Sequence, residues 1–503
     1  MIGSPDFSKR LEDARNLLLS HRYDLAVAAY ERLAREHPTM ASIWFECGNA
    51  AAGAGAFEKA EFAWNRAMEV APGNSELIVL IGHQYQGMRR PERARSCFVR
   101  AAAADPGGIN PRISLAVLLE KNHELGLARA AVDECLAIDP REAQACYFSA
   151  VLDRREGNLD RAETRLRDLL ARDPRHPYVR YAARYELAQI LDRSGRFDEA
   201  MDVLIAAKTI VASLTDTAPL IQGYDRSAQG ARRFTEGLPK DILRTWSGYF
   251  PEAKRERSLR LAFLGGHPRS GTTLLEQILD AHPEVAALDE PTAFQEVLQP
   301  AFHASSQHSS ARLNTLRGLY VGALLRELGP SASGKLLVDK NPSPTARLPV
   351  WLRVFPELRV LIALRDPRDV VLSCFFQNIP LNETNVNFLS LERLVRHYSD
   401  LMSIWLAVRE WEGIQAMETR YEDLVADPGR EGRRVTEFLG LSWNDSQARF
   451  HEKAHRRQIY APTYQDVTRP IYSSSVARWR HYERHLAPIL PALEAFCRTF
   501  GYS

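Results

Sequence analysis

The chain has 503 residues, of which 45% are hydrophobic and 25% are charged, and its net charge is +2. This composition is typical of soluble globular proteins, and the length predicts two or more domains because one hydrophobic core rarely serves so many residues. A net charge near zero gives no broad basic surface for nucleic acid. The six cysteines form no close pair, which argues against a disulfide framework or a cysteine zinc site.

The first residues and the hydropathy of the chain bear on its location. The opening MIGSPDFSKRLEDARNLLL becomes charged almost at once and lacks the apolar core of a signal peptide. No apolar stretch approaches the roughly 20 residues that a membrane-spanning helix needs. Together with the scattered cysteines, these features predict a soluble cytoplasmic protein without a membrane partner.

The first two hundred residues repeat with a period of 34 residues. In each unit a small residue in the first predicted helix and an alanine in the second would let the two helices pack closely, and a proline ends the second helix. Such units must stack to bury their apolar faces. The small residues are Ala14, Gly48, Gly82, Ala116 and Ala150, the alanines are Ala26, Ala60, Ala94, Ala128 and Ala162, and the prolines are Pro38, Pro72, Pro106, Pro140 and Pro174.

This pattern resembles the tetratricopeptide repeat. Ala188 and Ala200 continue it after a displacement of four residues, so we count about six repeats over residues 7–213. The resemblance implies an all-α solenoid whose groove binds a protein or an extended peptide, and a spacer or a dimerisation surface stays open as an alternative. Residues 214–258 lose the period and are predicted to form a connector with a short helix at DILRTWSGYF.

Residues 259–503 alternate short apolar runs with amphipathic segments. The runs RLAFLGG, KLLVDKNP, LRVLIALRDP and the start of AMETRYEDLVADP predict strands, and TTLLEQILDA and PRDVVLSCFF predict helices after strands. This alternation favours a mainly parallel sheet with helices on both faces, in which ligands bind at the carboxyl ends of the strands. The predicted fold is therefore an all-α repeat solenoid followed by a P-loop-like α/β domain.

The segment GGHPRSGTT, residues 265–273, has the glycine frame of a phosphate-binding loop. Four residues separate Gly266 from Gly271, but Thr272 stands where nucleoside triphosphatases carry a lysine. The glycines let backbone amides converge on an anion, and the following helix adds its positive N-terminal end. Arg269 supplies a cation from inside the loop. These residues predict a loop that holds a phosphate group other than a triphosphate.

Two segments resemble the signature motifs of sulfotransferases. HPRSGTTLLEQIL resembles their 5′-phosphosulfate loop, and LRDPRDVVLSCF resembles their 3′-phosphate motif. The resemblance covers about residues 259–503, and its combination with the repeats is similar to bacterial repeat-containing sulfotransferases. It implies 3′-phosphoadenosine-5′-phosphosulfate (PAPS) as the sulfuryl donor and no metal. The implied PAPS contacts are Arg269, Ser270, Gly271, Thr272 and Thr273 at the 5′-phosphosulfate, and Arg365 and Ser373 at the 3′-phosphate.

The resemblance also implies a catalytic set of Glu290, Lys340 and Arg269. Glu290 stands 21 residues after Arg269, which matches the base of protein-tyrosine sulfotransferases, whereas LLVDKNPSPTARLP lacks the histidine of the small-molecule enzymes. Lys340 is similar to the lysine that contacts the bridging oxygen, where its charge stabilises the leaving group. Glu284 and Asp289 are nearby alternatives for the base, and Glu290 could instead cap a helix.

Two later segments add further matches. Tyr421 in RYEDLV resembles a residue beside the adenine, and Arg469 in YQDVTRPIYSSSVARW resembles a phosphate contact in the segment that closes over the cofactor. Trp479 is predicted to belong to the core. Thr292 departs from the tyrosine-directed enzymes, which carry an arginine two residues after the base.

The acceptor and several alternative functions stay open at this stage. The repeats favour a tyrosine on a protein or peptide, but a carbohydrate, a lipid or a small phenol is also compatible. A nucleotide kinase is opposed by Thr272, and a repeat scaffold with an inactive domain is opposed by the intact catalytic set. HEKAH, residues 451–455, matches the histidine spacing of zinc hydrolases without the Gly-x-x-His continuation. The oligomeric state cannot be inferred from these patterns.

Overall fold

The computed structural model describes residues 5–250, 260–304, 308–451 and 475–503. The chain divides into two compact units, Met1–Val179 and Arg180–Ser503. The first contains helical repeats, and the second contains a parallel sheet.

The described part of the first unit is built from helices that each pack against the next helix along the chain. The small residues of the repeats lie at buried contacts between paired helices, as predicted. Ala14 and Ala26 are fully buried, and a Cβ atom at Gly48 would lie 2.3 Å from the Trp64 ring. The close packing of paired helices therefore follows from the 34-residue pattern. These helices are α1 (Pro5–Leu19), α2 (Tyr23–Glu36), α3 (Ala41–Gly53), α4 (Phe57–Val70), α5 (Ser75–Gly87), α6 (Pro91–Ala104), α7 (Asn110–Lys121), α8 (Leu125–Ile138), α9 (Ala143–Arg155) and α10 (Leu159–Ala171).

The turn inside each helix pair has a feature that the sequence pattern does not reveal. It places a residue with positive φ at the same repeat position each time. These residues are His21 (57°), Gly55 (72°), Arg89 (57°), His123 (63°) and Gly157 (88°), in steps of 34. Glycine adopts this left-handed conformation readily, whereas other residues are strained in it.

The sixth predicted repeat corresponds to α11 (Pro177–Arg193) and α12 (Phe197–Ser213). The boundary between the compact units falls near the start of α11, so both helices group mainly with the sheet unit. The domain limits 7–213, 214–258 and 259–503 stay predictions.

The predicted connector is more helical than its sequence pattern indicates. Besides α14 (Ile242–Ser247), which matches the predicted short helix, it contains the 19-residue helix α13 (Ala218–Glu236). The pattern does not reveal α13 because its buried positions are Gly223, Tyr224, Ala231 and Thr235, so no large aliphatic residue marks its buried face. Among the described residues, no single helix is long and apolar enough to span a membrane, and α12 with α13 passes that test only as a pair bent by 98°.

The second unit contains a five-stranded parallel sheet with the order β2-β3-β1-β4-β5. The predicted parallel sheet is confirmed, but strand β2 was absent from the prediction. Its sequence, VAALD, is a short apolar run that periodicity cannot assign to a strand or a helix. The strands are β1 (Leu261–Gly266), β2 (Val285–Asp289), β3 (Leu336–Lys340), β4 (Arg359–Leu364) and β5 (Gln415–Arg420).

Both faces of the sheet are covered. Leu264 packs with Leu275 of the helix that follows the loop, whereas the neighbouring side chain of Phe263 contacts Trp351, 4.7 Å away between ring centres. The alternation of side chains along a strand explains these two layers. The helices are α15 (Thr272–Asp280), α16 (Gln299–Ala304), α17 (Ser310–Leu328), α18 (Leu348–Val354), α19 (Pro367–Phe375), α20 (Leu391–Val408), α21 (Tyr421–Ala426), α22 (Pro428–Phe438), α23 (Glu483–Leu486) and α24 (Leu490–Thr499).

Candidate active site

The predicted phosphosulfate loop joins β1 to α15 at the carboxyl end of the central strand. Gly271 is the N-cap of α15 and has a φ of 92°. A Cβ atom there would lie 2.6 Å from the Tyr421 ring, and one at Gly266 would lie 2.3 Å from the carbonyl oxygen of Ala363. Glycine is needed at both positions because the backbone is left-handed and its neighbours are close. The loop thus has the close backbone packing of an anion-binding turn.

Arg269 connects the two predicted phosphate motifs. Its Nε donates a hydrogen bond to the hydroxyl of Ser373 at 3.0 Å, and its carbonyl oxygen accepts one from Nη1 of Arg365 at 3.2 Å. Its φ of 72° is a strained conformation for a residue with a side chain. The structure therefore brings Arg269, Arg365 and Ser373 together, although the two motifs are about a hundred residues apart.

Arg365 has donor capacity that fits a bound phosphate. Its guanidinium is buried, 4.8 Å from the centre of the Tyr421 ring, and Nη2 donates to the carbonyl of Ser475. Its Nε is buried without a hydrogen-bond partner among the described residues. Buried donors in folded proteins are normally paired, and a guanidinium binds phosphate strongly. These residues fit the phosphate end of PAPS.

Glu290 and Lys340 lie at the neighbouring carboxyl ends of β2 and β3. The Glu290 N–H donates to the Lys340 carbonyl at 2.8 Å. Lys340 is fully buried, forms an ion pair with Asp289, and places its Nζ 3.4 Å from Oε1 of Glu290. Glu290 has a φ of 53°, and its side chain is 44% exposed. The structure thus joins a buried ammonium to a carboxylate that solvent can reach.

The charge on Lys340 is set by its neighbours. Burial acts to lower the pKa of Lys340, but the carboxylates of Asp289, Glu290 and Glu276 outweigh it and raise that pKa above its ordinary value. The ammonium therefore stays charged at neutral pH, where it can stabilise negative charge. The sequence analysis did not select Glu276, which is fully buried on α15. An acidic residue within the apolar pattern of that helix was the available signal.

The alternatives to Glu290 as a base fit the structure less well. Glu284 lies near the opposite end of β2, is 60% exposed and pairs with Arg260 at 3.2 Å. Asp289 is 3% exposed and is neutralised by Lys340. Glu290 caps no helix in the described chain, since the next helical segment begins at Phe294. Of these three carboxylates, Glu290 alone combines solvent access with proximity to Lys340.

Thr345 and His397, which the sequence analysis did not select, contact the loop at Gly266 and His267. The hydroxyl of Thr345 accepts from the Gly266 N–H at 2.9 Å and donates to the Gly266 carbonyl at 3.1 Å. His267 is fully buried, and its Nε2 lies 2.8 Å from Nδ1 of His397. Burial lowers the pKa of His267 to about 4 and also lowers that of His397, so both rings are neutral at pH 7. No spacing rule links these residues along the chain.

The remaining predicted residues have mixed positions. Ser270, Thr272 and Thr273 are buried in the loop and the first turn of α15, and Trp479 is buried as predicted. Arg469 lies outside the described residues. So does HEKAH apart from its first histidine, and the described residues contain no cluster of three or more metal-ligating side chains.

Comparisons with known proteins agree with this architecture. The sulfotransferase family matches residues 262–445, and the tetratricopeptide repeat family matches residues 11–75 and 149–213. An uncharacterized protein of Aquifex aeolicus is 26% identical over 63% of this chain and 42% of its own length. A putative protein-tyrosine sulfotransferase of Caenorhabditis briggsae is 28% identical over 38% of this chain and 70% of its own length.

Among solved structures, the sulfotransferase domain of the Synechococcus PCC 7002 olefin synthase covers 48% of this chain and 94% of its own, at 21% identity. The TM-score of this match is 0.35. The family matches, together with the loop and the parallel sheet, define a sulfotransferase-type domain. The chain thus combines segments that match the tetratricopeptide repeat with a segment that matches the sulfotransferase family, which confirms the predicted combination.

Proposed function

We propose that the second unit transfers a sulfuryl group from PAPS to a hydroxyl acceptor. The proposal depends on one observation: the Arg269–Ser373–Arg365 cluster and the Glu290–Lys340 pair lie at the carboxyl ends of neighbouring strands. Parallel sheets bind their ligands at this edge. A phosphate site and an acid–base pair are the two parts that sulfuryl transfer needs.

The donor side supplies positive charge and backbone donors. PAPS, when bound, would supply the activated sulfuryl group. Arg365 and Ser373 would hold its 3′-phosphate with a charged fork and a neutral donor. Arg269, the loop amides and the hydroxyls of Thr272 and Thr273 would hold the 5′-phosphosulfate.

Glu290 and Lys340, which we call the transfer pair, would accept a proton and stabilise a developing negative charge. Glu290 would accept the proton of the acceptor hydroxyl at its carboxylate. Lys340 would keep its ammonium beside the oxygen on which charge develops, and Arg269 would add a second cation there. The positive φ of Glu290 supports this role, because backbone strain collects at functional residues.

The acceptor that we propose is a tyrosine hydroxyl on a protein or peptide. A similar protein from Caenorhabditis briggsae is named a putative protein-tyrosine sulfotransferase. The tetratricopeptide repeats add a type of surface that commonly binds proteins. Thr292 stands where the tyrosine-directed enzymes carry an arginine, so we expect this chain to select different flanking residues.

Replacement of Glu290 tests the proposal. The full chain is incubated with labelled PAPS and a lysate, and the labelled product is identified. Glu290→Gln keeps the size of the side chain but removes the base, so turnover should fall by roughly 100-fold or more. The affinity for adenosine 3′,5′-bisphosphate should change less than about twofold, because the 3′-phosphate residues are intact.

Glu284→Gln is the matched control, since this exposed carboxylate lies near the other end of β2. It should leave both turnover and affinity unchanged. Unchanged turnover in Glu290→Gln would remove Glu290 from the base role. If the wild-type chain transfers no label from PAPS, the proposed function is wrong.

Ligand stabilisation separates this function from nucleotide phosphoryl transfer. Adenosine 3′,5′-bisphosphate should raise the melting temperature of the full chain, and Arg365→Gln should remove most of that rise. Stabilisation by ATP with magnesium, but not by the bisphosphate, would favour a kinase instead.

A further inference from the structure

A cavity of about 250 Å³ lies in the second unit, and its lining does not include Arg269, Arg365 or Ser373. Its walls come from α13, from the segment around Phe294 and Phe302, and from residues 346–350. Most of its lining side chains are apolar, with Phe234 contributing a third aromatic ring. A protein cavity of roughly 150 Å³ holds benzene. This cavity therefore has room for one aromatic ring with a short substituent.

One arginine lines the cavity, and a second lies against one of the aromatic rings of its wall. Arg347 lines it, and Nη2 of Arg347 donates to the hydroxyl of Ser227 at 2.6 Å. The guanidinium carbon of Arg353 lies 5.8 Å from the centre of the Phe302 ring, and its Nε is buried without a hydrogen-bond partner in the described chain. The ion pairs of the described residues include neither arginine.

The electrostatics of these arginines favour an anion. Burial lowers the pKa of both Arg347 and Arg353, which means that their positive charges are poorly solvated. A carboxylate in the cavity would compensate for that lost hydration and would form charge-assisted hydrogen bonds. An apolar body with a single anionic group therefore matches this cavity better than a neutral or a cationic ligand.

The cavity walls belong to the segments that carry the transfer pair. Phe294 follows Glu290 by four residues, and the segment that ends at Arg347 follows Lys340. The amide of Asn341 donates to the carbonyl of Pro291 at 3.3 Å, which ties these two segments together. Thr345, next to the cavity wall, holds Gly266 of the loop.

We propose that this cavity binds a small carboxylate whose apolar body is about the size of one aromatic ring. Arg347 holds the carboxylate, and the rings of Phe234, Phe294 and Phe302 contact the apolar body. A molecule of this class that also carries a phenolic hydroxyl would be a small acceptor for sulfuryl transfer, in addition to the protein or peptide tyrosine proposed above. This last step rests on the proposed function, whereas the binding site does not.

Calorimetry with phenylacetate and phenylacetamide tests the charge preference of the site. These probes have the same shape and differ in charge. The full chain should bind one phenylacetate and should prefer it over the amide by roughly tenfold, the size of a charged hydrogen bond. In Arg347→Gln that preference should fall below about threefold. No saturable binding, or a preference that Arg347→Gln leaves unchanged, overturns the site.

Filling the cavity gives a second test that does not depend on charge. Gly230 lines the cavity from α13, and a Cβ atom there meets nothing within 4 Å. Gly318 on α17 has an equally open Cβ position and does not line the cavity, so Gly318→Leu is the matched control. Leucine favours helix over glycine, and both variants should fold. Gly230→Leu should weaken phenylacetate binding roughly tenfold and Gly318→Leu should not; equal affinities overturn the site.

Label transfer from PAPS to 4-hydroxyphenylacetate tests the acceptor step. Transfer that Arg347→Gln reduces supports both the site and the step. If phenylacetate binds and other acceptors are labelled, but 4-hydroxyphenylacetate is not, the acceptor step is wrong and the site stands. If phenylacetate binds and nothing is labelled, the proposed function fails instead.

Discussion

Residues with positive φ distinguish the repeats from the sheet unit. In the repeats five of them recur at one position, in the turn between paired helices, and three of these five are His21, Arg89 and His123 rather than glycine; Asp173 lies outside this series. In the sheet unit the non-glycine residues of this kind include Arg269 and Glu290. A repeated turn accounts for the first group. Arg269 and Glu290 are residues that sulfuryl transfer would use, whereas the third member of this group, Ala477, has no role in the proposed chemistry.

The conformational strain of a positive φ therefore has a different origin in the two units. A left-handed conformation costs a residue with a side chain about 1–2 kcal/mol. In a turn the chain geometry demands it, so glycine can take over without loss of function. At Arg269 and Glu290 the strained backbone directs side chains toward Ser373 and Lys340, so glycine would relieve the strain and remove the chemistry.

The largest effect is expected at the buried lysine beside Glu290. Lys340→Met leaves the Asp289 carboxylate buried without its ammonium, and such losses cost about 3–5 kcal/mol. Hydrogen exchange in β2 and β3 should accelerate accordingly. Adding Asp289→Leu should restore most of the protection, because the unpaired charge is gone, while label transfer stays lost. Normal protection in the single variant would show that this pair does not stabilise the sheet edge.

A smaller effect is expected from pH, through the buried histidine of the loop. The pKa of His267 is about 4 in the folded chain and near 6.5 when unfolded, so the unfolded state binds more protons between these values. The contribution of His267 to the free energy of unfolding should therefore fall as pH drops through this window, by on the order of 3 kcal/mol at pH 4, whereas the raised pKa values of Asp339 and Asp369, about 7 and about 6, act in the opposite direction.

Hydrogen exchange of β1 and α15, measured at increasing urea concentrations, gives the urea midpoint of these elements, and the change of that midpoint with pH measures this loss. The double variant His267→Gln/His397→Gln removes both rings, so it should lose less stability than the wild-type chain when the pH drops from 6.5 to 4. The same slope in wild type and double variant would assign the acid sensitivity to other groups.

Relief of functional strain should cost ligand affinity. Arg269→Gly keeps a residue that accepts φ of 72° but removes the hydrogen bond to Ser373 and the cation of the loop. We expect roughly tenfold or greater loss of affinity for adenosine 3′,5′-bisphosphate, from one charged hydrogen bond, by calorimetry. Melting of the full chain should change little. If Arg269→Gly binds adenosine 3′,5′-bisphosphate as tightly as the wild-type chain does, the bisphosphate does not bind at Arg269.

The smallest effect is expected in the repeats. Glycine adopts the positive φ of this exposed turn without strain, so His21→Gly should stabilise the adjoining helices. The net gain should be about 0.5 kcal/mol, because the greater conformational entropy of glycine in the unfolded chain offsets part of the relieved strain. Hydrogen exchange in α1 and α2 measures it, and label transfer should be unchanged. Faster exchange would mean that the His21 contact with the Tyr23 hydroxyl outweighs the strain.

Local patterns were the parts of the fold that could be predicted. The small residues of the repeats are visible because their packing partners lie one helix away. The phosphate loop and the Arg365–Ser373 motif are visible because each lies within one strand–helix turn. In contrast, β2 is too short for its periodicity to be read, and α13 buries no large aliphatic residue. The sixth repeat also groups with the sheet unit, which no spacing indicates.

The sequence by itself determined the repeat architecture, the sulfotransferase motifs and the residues of the proposed site, because these depend on neighbours along the chain. Only the tertiary structure decided which distant side chains meet. The order β2-β3-β1-β4-β5 is not sequential, so Arg269 contacts Ser373 across 104 positions, and Glu290 contacts Lys340 across 50. Burial also exists only after folding. Burial and the surrounding carboxylates set the charge of Lys340. Packing of the folded chain also leaves Arg347 facing a cavity.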